Sequence, residues 1–295
     1  MGPRLAQSLA RSARIRYWGA SVLPALVGTT LPFWLRPPGF SFRWLAAVEF
    51  LAATVLCHAG FSFLHEYFES RPTVWPRRRL IVGAIVCIVA ASLLGLHLNA
   101  ALPQVRSVPG YIFIVYGLSA LFAGVLYAVP PFDFRRRAGG EIVLCYSLAL
   151  LPGLGAYLVQ VGDLTRKVYL VLLPLIVVTA FWVWTDELVS RIDDEAQGRQ
   201  TLVVWFGSRF SGTLATLAIS VMFYATFLVM VVSAAASPWT LTALLLSPLV
   251  WRIATLSWRE HDNPEKMLVA RSKAITLHWA ASSIIAVSPL LALVF

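Results

Sequence analysis

Half of the acidic residues of this chain lie in two short segments, and their side chains are the first candidates for chemistry. The 295 residues include 14 Asp and Glu; five lie between positions 186 and 195, and two more are Glu66 and Glu69. Each segment follows a hydrophobic run. Carboxylates in or beside a membrane helix are costly and normally have a partner that balances their charge. The concentration of acids therefore indicates two candidate sites for a cation.

Helical spacing brings the acids of each segment onto one face. Glu66 and Glu69 are i, i+3 neighbours, whereas Asp186, Ser190 and Asp194 follow one another at i, i+4, i+8. Their oxygens suit a hard cation such as Mg²⁺, which is usually held by one or two carboxylates together with water and phosphate oxygens. If both stripes face one cavity, they predict a magnesium site that the diphosphate of a substrate completes.

A second interpretation of the acids stays open. Glu187, Arg191 and Glu195 also follow i, i+4 spacing, which fits an exposed ion-pair ladder at a helix end. Glu66 and Glu69 equally fit interfacial residues whose side chains extend toward the lipid headgroups. Spacing alone does not decide between a metal site and a solvated face.

Two arginine clusters, at 77–79 and 135–137, lie on the same predicted side of the membrane as the acids. Arginine binds phosphate oxygens through paired, charge-assisted hydrogen bonds, so these clusters could neutralise a diphosphate. The alternative is that each arginine is ordinary loop charge on the cytoplasmic face.

Composition indicates a membrane protein. Hydrophobic residues make up 59% of the chain and charged residues 13%, about half the charged share of a soluble domain. The net charge is +10, but no segment interleaves basic and aromatic residues, and the basic residues separate apolar runs. This distribution argues against a nucleic-acid partner and favours anionic lipid headgroups or a phosphorylated substrate.

Apolar runs of about 18–25 residues are long enough to cross a bilayer. They lie near 15–34, 44–68, 79–98, 109–128, 138–160, 165–188, 210–232, 237–255 and 274–294. With a cytoplasmic N-terminus, 19 of the 24 Lys and Arg fall inside and 5 outside, as the positive-inside rule requires. We predict an all-α, polytopic protein of one domain, 1–295, with about nine transmembrane helices around a central cavity that opens to the cytoplasmic side. The C-terminus is then outside, and the expected location is the bacterial inner membrane.

The acidic and basic segments resemble motifs of the UbiA superfamily of intramembrane prenyltransferases. Four stretches carry the resemblance, and they occur in the family's order. They are 16–28 (RYWGASVLPALVG), 65–69 (HEYFE), 127–160 with its YAVPP, RRR, AGGE and LGAYLVQ runs, and 194–207 with DEAQGRQTL and FG. The first and third stretches are similar to those of the dihydroxynaphthoate polyprenyltransferases of menaquinone synthesis. Beyond about residue 210 only unspecific apolar runs remain.

The sequence also departs from the family's Asp-rich motifs. Glu66 and Glu69 stand where the family usually has Asp, and His65 replaces Asn. Thr73 stands where a further Asp often follows, and Ser190 replaces the Asp four residues before Asp194. Glutamate keeps the oxygens but adds a methylene, so the geometry of the first metal site should shift.

The resemblance implies Mg²⁺-dependent transfer of a prenyl chain from a prenyl diphosphate to a membrane-associated acceptor, such as an aromatic or quinone precursor. Three sets of residues carry this interpretation. The implied catalytic residues are Glu66, Glu69, Asp186 and Asp194; the metal set adds Ser190; the diphosphate ligands are Arg77, Arg135, Arg137 and Arg199. Two alternatives remain: a terpene cyclase of the same fold, and a non-catalytic lipid- or quinone-binding relative or small transporter.

Overall fold

The computed structural model describes residues 17–69, 75–101 and 111–294. The N-terminal arginines up to Arg16, together with Arg71, Thr73 and Arg106, lie outside the described residues. Throughout the described ranges the chain is helical apart from its connecting loops, and the only β-type pairing there is an isolated bridge between Arg137 and Gln200. The all-α fold is therefore confirmed.

Within the described ranges, eight helices are long and apolar enough to cross a membrane, and a shorter apolar helical segment precedes them. Helices suit this environment because a chain in lipid must satisfy its backbone hydrogen bonds internally. In chain order the elements are α1 (Gly19–Thr30), α2 (Pro32–Leu35), α3 (Trp44–Tyr67), α4 (Arg77–Ala101), α5 (Tyr111–Ala128), α6 (Gly140–Val161), α7 (Arg166–Ala196), α8 (Leu202–Phe206), α9 (Ser208–Val232), α10 (Pro238–Glu260) and α11 (Pro264–Val294).

The helices agree with the nine predicted spans, with two informative extensions. Helix α7 continues to Ala196 and so carries the whole second acidic segment on its last turns. Helix α11 begins at Pro264, ten residues before the predicted span, because the Asn263 side chain accepts the Lys266 N–H at 3.2 Å and caps the helix. Hydropathy does not detect these ten residues because four of them are charged.

Helix α7 forms the centre of the bundle. In the most apolar stretch of α7, 72% of the residues are buried, against 17% in α4 and 11% in α5. Helix α7 is therefore the core helix, and the other two face lipid or a cavity. It packs against α9 and α11, and its Leu172, Leu175 and Phe181 side chains are fully buried. Lipid is as apolar as these side chains, so close packing rather than water exclusion holds the helices together.

Small residues allow a close helix crossing between α1 and α6. A Cβ atom added at Gly28 would lie 2.0 Å from the carbonyl oxygen of Gly153, which is a backbone atom that cannot swing away. Glycine at position 28 is therefore required for α1 to approach α6, as small residues are at many membrane helix interfaces.

We expect Gly28→Ala to lower the midpoint of thermal unfolding in detergent, because overpacking at a backbone contact costs about 1–3 kcal/mol. Gly95→Ala is the matched control, since a Cβ atom there meets nothing within 4 Å. The midpoints are measured on both purified variants. Equal midpoints would contradict the close α1–α6 crossing.

Candidate functional site

The two acidic segments meet through one arginine side chain. Glu69 follows the end of α3, and Asp194 lies in the last turn of α7. The Arg199 guanidinium bridges them: its Nη2 is 3.0 Å from Glu69 Oε1 and its Nη1 is 3.0 Å from Asp194 Oδ1. The Arg199 and Asp194 side chains are only 14% and 4% exposed, so water screens this contact weakly. A cationic group therefore already lies between the predicted acidic motifs.

Ser190 and Arg135 extend this arrangement, which we call the Arg199 network (Glu69, Arg135, Ser190, Asp194 and Arg199). The Ser190 hydroxyl donates to Asp194 Oδ2 at 2.6 Å. Arg135 Nη1 lies 3.7 Å from Glu69 Oε2, and the Arg135 guanidinium also pairs with Asp133. The network thus collects three carboxylates, counting Asp133, around two guanidinium groups.

Arg135 also fixes the end of α3. Its Nη1 donates to the His65 carbonyl at 3.1 Å and its Nη2 to the Phe68 carbonyl at 2.8 Å. The last carbonyls of a helix have no partner within the helix and carry partial negative charge, which a cationic donor satisfies. Arg135 is buried, with its side chain 3% exposed, so it acts as a structural clamp as well as a charge near Glu69.

Glu141 positions the loop that carries Arg199. Its Oε1 accepts the Leu202 N–H at 2.7 Å, at the start of α8, and its Oε2 accepts the Gly139 N–H at 3.2 Å. Gly198, with φ of +67°, lets the chain leave α7 in a left-handed conformation that side-chain-bearing residues avoid. The turn after α7 and the buried Glu141 together direct Arg199 back toward Asp194.

A cavity of about 1140 Å³ lies between α1, α3, α4, α5, α6 and α7. It reaches along α3 from His65 to Phe50, which are 15 residues or about 22 Å apart. Its charged lining side chains, among the described residues, are Asp186, Glu187 and Arg271, and the Arg271 Nη1 lies 2.9 Å from Asp186 Oδ1. The walls are otherwise mostly apolar, so the cavity suits a long hydrocarbon ligand with its charge at one end.

The predicted site residues separate into four sets. The Arg199 network unites Glu69, Asp194, Ser190, Arg135 and Arg199. Asp186 precedes Asp194 by eight residues, about 12 Å along α7, and it pairs with Arg271 at the cavity instead. Glu66 is half-buried one turn before Glu69. The remaining two are the exposed Arg77, at the start of α4, and the exposed Arg137, which donates to the Pro131 carbonyl at 3.0 Å.

Sequence reasoning missed the roles of Glu187 and Arg271. Arg191 does pair with Glu195 at 3.1 Å, as the ladder interpretation expects, but its second partner is Asp262 and Glu187 lines the cavity. Arg271 precedes the last predicted span, which begins at residue 274, yet it lies on the second turn of α11. The Asn263–Pro264 start signal, applied to the charged stretch before the last apolar run, would have put Arg271 on a helix.

The network fits a magnesium ion only with help from a ligand. Among the described residues no group of three or more His, Cys, Asp and Glu side chains is close enough to hold a metal. Glu69 and Asp194 supply oxygens around a position that the Arg199 guanidinium, itself a cation, now occupies. Because Mg²⁺ commonly takes one or two carboxylates and completes its shell with phosphate and water, the residues suit it when a diphosphate is bound.

The fold matches solved structures of intramembrane proteins. The apo structure of a UbiA homologue from Aeropyrum pernix K1 matches with a TM-score of 0.70 at 15% identity, covering 94% of this chain and 98% of that one. A UbiA homologue from Archaeoglobus fulgidus gives a TM-score of 0.67 at 15% identity, covering 98% and 100%. A digeranylgeranylglyceryl phosphate synthase gives 0.65 at 11% identity, covering 97% and 99%.

At these identities the likeness establishes the fold, and the polytopic helical architecture that the sequence predicts is confirmed. No family model matches the sequence, and no curated protein matches it significantly. The functions of the individual site residues stay predictions.

We expect Arg199→Ala to destabilise the protein by about 3–5 kcal/mol, because it removes the guanidinium that bridges Glu69 and the buried carboxylate of Asp194. Millimolar Mg²⁺ should raise the unfolding midpoint of this variant more than that of wild type, since the ion takes the position of the guanidinium. Both effects are measured by thermal unfolding in detergent.

Arg191→Ala is the matched control for Arg199→Ala, because Arg191 also bridges two acids, Glu195 and Asp262, but both of these are 64% exposed. Its cost should stay below about 1 kcal/mol, and its midpoint should respond to Mg²⁺ as wild type does. An equal Mg²⁺ response in the two variants would show that the carboxylates of the Arg199 network do not bind the ion.

Proposed function

We propose that this protein transfers a prenyl chain from a prenyl diphosphate to a lipophilic acceptor within the membrane. The observation that carries the proposal is the Arg199 network, whose Glu69 follows by four residues His65 at the charged end of a large, mostly apolar cavity. The fold supports it, because the UbiA homologue from Archaeoglobus fulgidus has been solved with DMAPP and Mg²⁺ and with GPP and Mg²⁺. Those ligands combine a diphosphate with a prenyl chain. The charged network suits the diphosphate, and the apolar cavity suits the chain.

The donor diphosphate would bind at the Arg199 network. The Arg199 Nε–H is buried and has no acceptor among the described residues, so one strong donor remains for a phosphate oxygen. Arg135 provides a second guanidinium next to Glu69. On this account Arg199 shifts from the carboxylates toward the diphosphate when the donor binds, and Glu141 limits that shift by holding the loop.

Glu69 and Asp194, with the Ser190 hydroxyl beside them, would hold Mg²⁺ against the diphosphate. Bound Mg²⁺ supplies charge that stabilises the leaving diphosphate. The movement of Arg199 onto the phosphates would free the oxygens of both carboxylates for the ion. Glu66 and Asp186, which the resemblance also assigns to the metal, remain candidates for a second ligand position.

The reaction needs little covalent work from the protein. The C–O bond of the donor breaks with its electron pair leaving on the diphosphate, and the arginines neutralise that charge in a poorly solvated site. An electron-rich carbon of the acceptor then attacks the allylic cation and loses a proton. We propose an aromatic or quinone-precursor acceptor, because stretches 16–28 and 127–160 resemble the dihydroxynaphthoate branch.

We expect the purified protein to release diphosphate from geranylgeranyl diphosphate when Mg²⁺ and an acceptor are present. EDTA should stop this release. Asp194→Asn and Glu69→Gln should each reduce the rate about 100-fold, because each removes charge that holds the cation at the leaving group. Glu195→Gln, an exposed acid on the same helix, should stay within twofold of wild type.

The organic product distinguishes the remaining functions. A prenylated acceptor supports the proposal, whereas a cyclic hydrocarbon without acceptor would identify a terpene cyclase. No diphosphate release from folded protein with any prenyl donor would identify a binding protein and contradict the proposal.

The cavity makes a separate prediction about donor length. Gly95 lines the half of the cavity far from the charged end, with open space where a side chain would be. Gly95→Leu should raise the KM for geranylgeranyl diphosphate about tenfold or more, because the added atoms exclude the end of the chain. The KM for geranyl diphosphate should not change. Equal effects on both donors would mean that the prenyl chain does not reach this end.

A further inference from the structure

Three consecutive arginines at the start of α4 carry charge that no acidic side chain balances. Arg77, Arg78 and Arg79 are all exposed. The chain has no acidic residue between Glu69 and Asp133, and all 14 of its acids lie in the described ranges. None of the ion pairs in those ranges includes one of these arginines. Their positive charge is therefore available to an anionic partner.

Helical spacing places Arg78 above an exposed apolar side of α4. Four residues follow Arg78 at i+4, i+7, i+8 and i+11, which is the spacing of one helix face. We call them the α4 lipid face: Val82, Ile85, Val86 and Val89. They are 51–60% exposed, and none of them lines the cavity. In a helix that spans a membrane, such a face contacts the acyl chains of lipids.

Arg77 lies on a different face of the same helix. It precedes Leu80 and Ala84 by three and seven residues, and these two are only 0% and 1% exposed. Two adjacent arginines therefore differ in what lies below them along the helix. Arg78 lies above the α4 lipid face, and Arg77 lies above side chains that pack inside the bundle.

The level of the membrane surface is indicated by Trp75, two residues before α4. Tryptophan is enriched where membrane and water meet, and the Arg79 guanidinium lies 5.8 Å from the centroid of the Trp75 ring. From Arg78 to Val89 the helix rises over eleven residues, or about 16 Å. One leaflet accounts for half of a hydrocarbon core of about 30 Å. The α4 lipid face therefore has the length of the acyl chains of one leaflet.

The partner that fits both features is an anionic phospholipid. Arginine binds phosphate oxygens through charge-assisted hydrogen bonds, and basic residues next to a membrane helix attract acidic headgroups. A zwitterionic lipid would bring an ammonium group beside guanidinium groups that no acid neutralises, which is unfavourable. A soluble phosphate would meet the same arginines but would make no use of the α4 lipid face.

We propose that Arg78 and Arg79 bind the phosphate of an anionic phospholipid whose acyl chains lie along the α4 lipid face. Arg78 lies directly above that face, and Arg79, held near Trp75, provides the second guanidinium. The site is on the outer surface of the bundle and is separate from the cavity. The proposal therefore stands whether or not the protein transfers prenyl chains.

Lipid binding to the full chain in detergent tests the proposal. Native mass spectrometry gives Kd for dioleoyl phosphatidylglycerol and dioleoyl phosphatidylcholine, which have identical acyl chains. Wild type should bind the anionic lipid about tenfold more tightly, and Arg78→Gln should weaken that binding about fivefold to tenfold. The double variant Arg78→Gln/Arg79→Gln should bind the two lipids equally. Arg77→Gln is the matched control, because it removes the same charge from another face, and its Kd should stay within twofold of wild type.

Glycerophosphoglycerol, the headgroup without acyl chains, distinguishes a lipid site from a soluble-anion site. At millimolar concentration it should not displace phosphatidylglycerol. The proposal is overturned if wild type binds both lipids equally, if Arg77→Gln and Arg78→Gln weaken binding alike, or if the free headgroup displaces the lipid. Unfolding midpoints equal to that of wild type in phosphatidylcholine would show that the variants are folded, as expected for exposed side chains.

Discussion

The bridge from Glu69 to Asp194 through Arg199 is the interaction on which the rest of the site depends. It joins the end of α3 to the end of α7, and both of its ion pairs are 3.0 Å long. Arg135 holds the α3 side by binding the last carbonyls of that helix, and Glu141 holds the loop that presents Arg199. Without a cation at this point, two carboxylates on separate helices would repel each other in a poorly screened environment.

This arrangement uses the length of the Glu69 side chain. The longer Glu69 side chain, at the end of α3, reaches the guanidinium that Asp194 also contacts. The arginine balances the carboxylates when no ligand is bound, and a diphosphate together with Mg²⁺ would offer each group a new partner of opposite charge. The exchange keeps charges paired throughout, which matters because an unpaired charge in such a site is costly. The apolar cavity then accommodates the prenyl chain and excludes water.

The sequence predicted the fold well because hydrophobic length and loop charge are properties of single segments. It also brought Glu69, Asp194, Ser190, Arg135 and Arg199 into one hypothesis, since helical spacing and the motif order are local. The sequence does not predict the ion-pair partners of these residues, because the partners depend on how each helix is rotated in the bundle. Asp186 and Asp194 share a stripe yet meet different arginines, Arg271 and Arg199.

An experimental structure of the protein with geranyl diphosphate and Mg²⁺ tests the central claim most directly. The account predicts that the Arg199 guanidinium contacts the diphosphate, that Mg²⁺ lies between the phosphates and the carboxylates of Glu69 and Asp194, and that the prenyl chain enters the cavity. A diphosphate bound elsewhere, with Arg199 still bridging Glu69 and Asp194, would contradict it and leave the bridge as a purely structural tie.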